Sequence, residues 1–547
     1  MLALAVASSL LLALTFQSPV VEKLNGPLVG DVSRFEWTAD GQYVLYGAER
    51  DDPDVDVFTS LRLADGSEAT FQPYVPMFGS AHVNEFASLP DRGLVGVRYF
   101  VFDGTIFPPV TSQIMHILER ESAIEVTTTG DDPRFFADGR MLYRTFTHTF
   151  RGPTYVRGWS GRWNVPGPSI EISPPAQPDN HVSLILPAPQ AGVALFGWRD
   201  SIYTSNHAEL LAVPLDAGAP VALTPPPASG QRTWIDVVHV RASDELVLYQ
   251  ADEVPPILEL WAVPVDGSLA PRRLNPPVAP GTEFYRCTVT PDETRIVYVA
   301  DVEVADTYEL WSTEIDSGAS VRLSGPQVAG GDVRYDGFWI TPDGARVVYL
   351  ADQRVDGVME LYTAPIDGHA PATLLHPPLQ PSSVALNGIH VTPDARLMVF
   401  AVRMPRGVVL MSARTDGNGL ARPLNWPFPQ GGGVFADANG IQTTVALTRN
   451  GRYAFFLGEQ DTDGVVELYS VPIDGSAPPR KWNAPLVAGG NVTGLALGPR
   501  SDAVLYRADQ DVNDHFELYK SALPDAPPPN ASAGAPTGFV TVSAPDY

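Results

Sequence analysis

The chain has 547 residues, enough for several ordinary domains or for one long repeat array, and its 44% hydrophobic content fits a globular core. Its 36 basic and 63 acidic residues leave a net charge of −27, which repels nucleic acid and anionic lipid and keeps both off the list of expected partners. Cys287 is the only cysteine, which excludes an intrachain disulfide and a cysteine-based zinc site.

In chain order, residues 1–18 read "MLALAVASSLLLALTFQS", an apolar run shorter than the roughly 20 residues a membrane-spanning helix needs. It has the character of a secretion signal's apolar core, with cleavage expected after Thr15, Gln17 or Ser18, although no basic residue precedes it. A mis-assigned start is the alternative. The expectation is export, to a periplasmic or extracellular location, without membrane insertion after signal removal. Residues 19–525 form one array, divergent over 31–225 and regular over 226–525. A Pro/Ala-rich tail, 526–547, follows.

The array repeats a phrase. "ELYSVPIDG" at 467–475 has near-copies at 209–218, 259–267, 309–318 and 360–368. Each copy sits third in a unit. A first apolar run ends in a turn such as "TPDG", and a second alternating run such as "ARVVYLAD" follows. An acidic loop then leads into the phrase, whose Asp-Gly turns the chain into a short fourth run such as "VRLSGP". Gly accepts the positive φ of a tight hairpin turn and Asp bonds its own backbone, so these are four antiparallel strands and not helices. The second-run aromatics Tyr249, Tyr298, Tyr349, Phe400, Phe456 and Tyr506 mark the regular units. Tyr46, Tyr99, Tyr143 and Phe196 mark four divergent ones. Repeated four-stranded units predict an all-β fold, a β-propeller of about ten blades. The last unit lacks a fourth run, and "VEKLNGPLVGDV" at 21–32 supplies one at the other end. The N-terminal strand is therefore expected to pair with the last blade and close the ring, which removes two sheet edges. Two smaller rings are the alternative.

The "TPDG…VVYLAD…ELY…PIDG" pattern resembles the TolB-type propeller repeat of exported bacterial proteins. The resemblance covers nearly all of 20–525, strongly over 235–525 and more weakly over 75–225. It implies a fold and leaves function open, because such blades serve as interaction scaffolds and as companions of hydrolase domains.

Repetition also filters the chemistry, since a single site needs a unique arrangement. Glu209, Glu259, Glu309, Glu360, Glu467 and Glu517 all open third strands and read as structural. The acidic loops at 51–56, 301–306, 352–356, 459–463 and 509–514 offer spaced carboxylates that calcium could use. Asp509, Asp511 and Asn513 begin like a calcium loop, but Lys520 stands where a bidentate acid belongs, so no metal ligand is assigned and solvated loop tips are the plainer reading. There is no Gly-x-Ser-x-Gly, His-Glu-x-x-His, phosphate loop or dinucleotide fingerprint, and no catalytic residue is assigned.

Two departures from the repeat remain. In the first strands, two residues before the turn's Thr or its equivalent, stand Glu36, His239, Trp339 and His390, the channel candidates. The second is 139–168, which has five arginines and no acid. There Arg151, Tyr155, Arg157, Trp159, Arg162 and Trp163 combine arginine with aromatics, the composition of interface anchors or of a divergent blade's own core. The expected function is an exported, non-catalytic propeller that binds a protein or envelope component, as TolB-type propellers do. The alternative is a propeller enzyme, a hydrolase or lyase on carbohydrate or peptide, with its site at the channel mouth.

Overall fold

The structure is a computed structural model that describes residues 20–51, 55–71, 80–89, 94–102, 110–117, 123–127, 130–135, 140–147, 155–162, 170–172, 181–188, 192–199, 208–216, 218–225, 235–254, 257–278, 282–379, 383–385, 388–435 and 444–523. The proposed signal, 1–18, and the tail, 526–547, lie outside the described residues. All regular structure among the described residues is β-strand. Six sheets have four strands each, one has eight and one has ten. The eight-stranded sheet consists of two antiparallel meanders, 130–171 and 181–222, joined by one parallel pair at Val156 and His181. In the ten-stranded sheet, 384–423 and 433–481 are likewise joined, at Val408 and Gly433. Each unit therefore runs first to fourth strand by antiparallel neighbours.

The repeated residues each have a local task. In the turn after the first strand, the Thr290, Thr341 and Thr392 hydroxyls donate to Asp292, Asp343 and Asp394 at 2.6 Å. This side-chain loop fixes the tight turn and explains why Thr-Pro-Asp recurs. The second-strand aromatics Tyr46, Phe196, Tyr249, Tyr298, Tyr349 and Tyr506 have no exposed surface. Burying such a ring is worth roughly 3 kcal/mol, so these positions anchor each sheet. The glutamates that open third strands are indeed structural: Glu259, Glu309 and Glu467 pair with Arg273, Arg322 and Lys481 of their own fourth strands. After several fourth strands a polar side chain accepts an N–H near the start of the third strand. Asn275 does so for Leu260, Asn425 for Leu410 and Asn483 for Leu468, at 2.7 to 2.9 Å.

The acidic loops are held from within. Asp301, Asp352 and Asp509 are buried, and each spans two backbone amides: Glu283 and Asp306, Asp332 and Gly357, Asn491 and Asp514. Asp511 accepts from the Tyr519 hydroxyl at 3.1 Å and lies 3.6 Å from Lys23. Carboxylates engaged in this way are loop staples, and the described residues contain no group of three that could hold a metal ion.

Neighbouring units are stitched by a second repeated device. The Tyr308 N–H donates to Asp332 and the Val333 N–H to the Tyr308 carbonyl. Val466 and Asn491, with Val492, repeat this. Phe516 and Asp31, with Val32, repeat it once more, between the two ends of the array. Beside that seam, Val21–Lys23 pairs with Tyr519–Ser521, as expected from the missing fourth run. Asn25 accepts the Leu518 N–H, and the Trp37 indole N–H donates to the Ala496 carbonyl. One apolar cluster, with Val32, Tyr46, Leu505 and Leu518, spans both ends. First strands of several neighbouring units touch one another.

Candidate functional site

The four first-strand candidates stand on four different strands. Glu36 is exposed on Val32–Trp37. Trp339 packs, half-buried, against the cluster containing Val348, Leu350 and Met398. His390 is partly exposed as a residue, yet its Nε2 is buried and has no partner among the described residues. Burial there pushes the imidazole down to about 4, so it stays neutral near pH 7.

His239 is different. Its Nε2 lies 2.8 Å from Glu293 Oε1, a residue of the next unit. Glu293 also accepts the Ala242 N–H at 3.1 Å through Oε2. Both side chains keep about a third of their surface open, 35% for His239 and 26% for Glu293. Glu293 occupies the last position of the first turn with φ 57°, where other units place Gly41, Gly344 and Gly451 at φ 65 to 68° and Glu245, Ala395 and Ser501 at φ 54 to 57°. A left-handed backbone is strained for a residue with a Cβ, so glycine is the expected occupant. Here a glutamate reaches across the seam instead. Because a carboxylate only accepts, the Nε2 it bonds carries hydrogen, and Nδ1 of the neutral ring holds the lone pair. Nδ1 has no partner among the described residues. The result is an imidazole oriented by a carboxylate, an arrangement able to accept a proton at Nδ1. Sequence reasoning flagged His239 and missed Glu293, although "TPDE" in place of "TPDG" was the visible signal.

Cys287, close by, is not a nucleophile. Its Sγ–H donates to the Tyr285 carbonyl, and burial pushes the thiol far above its ordinary range.

In the arginine-aromatic segment, Arg151 and Trp163 lie outside the described residues. Tyr155, Arg157, Trp159 and Arg162 fall on one strand, Tyr155–Arg162, opposite Thr147, Thr145, Tyr143 and Arg140. Trp159 is half-buried. The segment is thus the third strand of a divergent unit.

No family model matches the sequence, and no curated protein matches it. Among solved structures it is similar to a puromycin-hydrolyzing peptidase of Mycobacterium tuberculosis, with TM-score 0.32 and 14% identity, covering 69% of this chain and 57% of that one. It is also similar to a structure from work on two prolyl endopeptidases, with TM-score 0.34 and 10% identity, covering 70% of this chain and 54% of that one. The chain thus matches little more than half the length of either. Both are peptidases, which runs against the expected non-catalytic binding scaffold, but likeness at these identities and TM-scores gives this chain no role. The likeness assigns no residue and no substrate to this chain.

Proposed function

We propose that the chain is a propeller enzyme, built on a TolB-like repeat closed into one ring of ten blades, with its proton-transfer site at His239 and Glu293. The count takes the six separate sheets and two meanders from each joined sheet. Support for one ring comes from the stitch at Asp31 and Phe516, which has the same form as those at Asp332 and Tyr308 and at Asn491 and Val466. Support for enzymatic work comes from the carboxylate of Glu293, which holds the His239 imidazole from the neighbouring unit's turn.

The reaction class follows from what this pair can do. Nδ1 accepts a proton from a water, whose hydroxide then attacks the scissile centre, and the imidazolium returns the proton to the leaving group. That is hydrolysis of a peptide or glycosidic bond. Abstraction of a carbon-bound proton, giving elimination, needs the same base. The test is a broad peptidase, glycosidase and lyase screen, run on the wild type and on His239→Ala and Glu293→Gly. Turnover by the wild type, lost in both variants while each keeps its melting temperature, is expected. No turnover in any class, or turnover indifferent to both changes, would overturn the proposal.

A further inference from the structure

At the other end of the first strands a second departure stands out. Val333 and Phe284 occupy matching places, each opposite a second-strand alanine, Ala351 and Ala300. From Val333 to the turn's Thr341 the chain takes two residues more than from Phe284 to Thr290. The extra length lies in a bulge between Val333 and Phe338, and bulges re-aim side chains. This one carries Tyr335, which stays 56% exposed although it is a large aromatic.

Tyr335 stands over residues of the preceding unit. Its ring centroid is 5.6 Å from Tyr285, whose ring meets Tyr308 edge-on at 5.1 Å. The Tyr285 and Tyr308 hydroxyls both donate to Glu283 Oε2, at 2.6 and 2.7 Å. Glu283 is exposed, and its Oε1 has no partner among the described residues. The nearby cations are already occupied: Arg334 is paired with Asp336 at 2.7 Å, and Arg286 donates to the Asp336 carbonyl while covering the Phe338 ring.

Three adjoining tyrosine rings beside a carboxylate with one free oxygen suit one kind of guest. Ring faces attract a cation whose alkyl groups cover them, and the carboxylate supplies the counter-charge. A chain of net charge −27 raises the local concentration of such cations further. We infer that Tyr285, Tyr308, Tyr335 and Glu283 form a receptor for an alkylammonium head group. The two phenols hold Glu283 as an anion below the usual carboxylate range, so the receptor is charged at neutral pH. This goes beyond the proton-transfer reading and uses none of its residues.

The test is calorimetric titration of the full chain, in moderate salt, with choline, butylammonium and the neutral dimethylbutanol isostere of choline. Both cations should bind and the neutral isostere should not. Choline binding tighter than butylammonium would identify a quaternary head group, and the reverse order a primary amine such as a lysine or a peptide N-terminus. Tyr335→Ala should weaken binding about 5-fold and Glu283→Gln about 10-fold, with Tyr335→Phe near wild type because the ring face remains. Tyr335 is exposed, so its variants should fold normally. Equal binding of the neutral isostere, no binding of either cation, or indifference to Tyr335→Ala would overturn the inference. Hydrolytic turnover lost only in His239 and Glu293 variants, with cation binding intact, would separate the two sites.

Discussion

Replacing Glu293 by Gly gives this turn the residue found at Gly41, Gly344 and Gly451, and the structure sets the size of the effect. A residue with a Cβ at φ 57° is strained by roughly 1–2 kcal/mol, which glycine relieves. Glycine returns about 0.4–1 kcal/mol of that through the extra freedom of the unfolded chain. Lost with the carboxylate are its bonds to His239 Nε2 and Ala242 N–H, at 2.8 and 3.1 Å. Both groups face solvent in part, so the losses total about 1 kcal/mol. These contributions nearly cancel, and the melting temperature should move by less than about 4 °C in either direction. Activity should fall on the order of 100-fold or more, because the imidazole loses the group that fixes its tautomer. Glu293→Gln keeps the backbone strain and a weaker acceptor, so it should be intermediate in turnover. Thermal denaturation followed by circular dichroism, beside turnover on the substrate found by screening, measures both. A melting temperature lowered by more than about 8 °C would make Glu293 a staple between units, and turnover within twofold of wild type would remove the dyad from the chemistry.

Removing residues 20–26 deletes the strand paired to Tyr519–Ser521, the Asn25 acceptor for Leu518 and the Lys23 partner of Glu517. With two sheet edges exposed, the melting temperature should fall by about 10 °C or more and aggregation should rise on light scattering; a fall under about 3 °C would refute ring closure. Calcium at millimolar concentration should shift the melting temperature by less than about 2 °C, since Asp301, Asp352 and Asp509 are taken up by backbone amides, and a shift of about 10 °C would mean true sites. For His390, held near 4 against 6.5 in the unfolded chain, the unfolded state takes up its proton first on acidification. Stability should therefore fall as pH drops from about 6.5 to about 4, by up to about 3 kcal/mol, and His390→Leu should flatten that slope in denaturant melts at pH 7 and pH 5.

The fold was legible because each unit repeats its own solution. The Thr and Asp of the turn, the buried second-strand aromatic and the Asp-Gly hairpin are local, so one unit's pattern could be checked against the others. The pairing of the two ends was legible for the same reason: the fourth run missing after 523 was present at 21–32. The site was only half legible. His239 differed from its counterparts and could be flagged, whereas its partner lies 54 residues on and across a seam. No local pattern reports such a contact, and the turn position of Glu293 disguised it as a loop residue. Tyr335 was hidden by an insertion of two residues, which shifts register without interrupting the repeat. The arginine-aromatic segment attracted notice by composition, and composition alone does not distinguish a rim from a divergent strand.

Repetition also explains where departures can occur. A unit satisfies its own buried groups through Thr to Asp, Glu to Arg or Lys, and Asn to the third strand. Changing any of these leaves a buried donor or charge unpaired, at a cost of about 1–3 kcal/mol. The turn's last residue, which is Gly344, Ala395, Ser501 or Glu293 in different units, and the bulge in the first strand lie outside these pairings, so they tolerate new side chains. Both departures involve the unit whose strands run from Phe284 to Arg322, which supplies Glu293 at one end of its first strand and Glu283 and Tyr285 at the other. The preceding unit contributes His239 and the following one Tyr335. Each arrangement therefore exists only while its own seam is closed: His239 and Glu293 across one, Tyr285 and Tyr335 across the next.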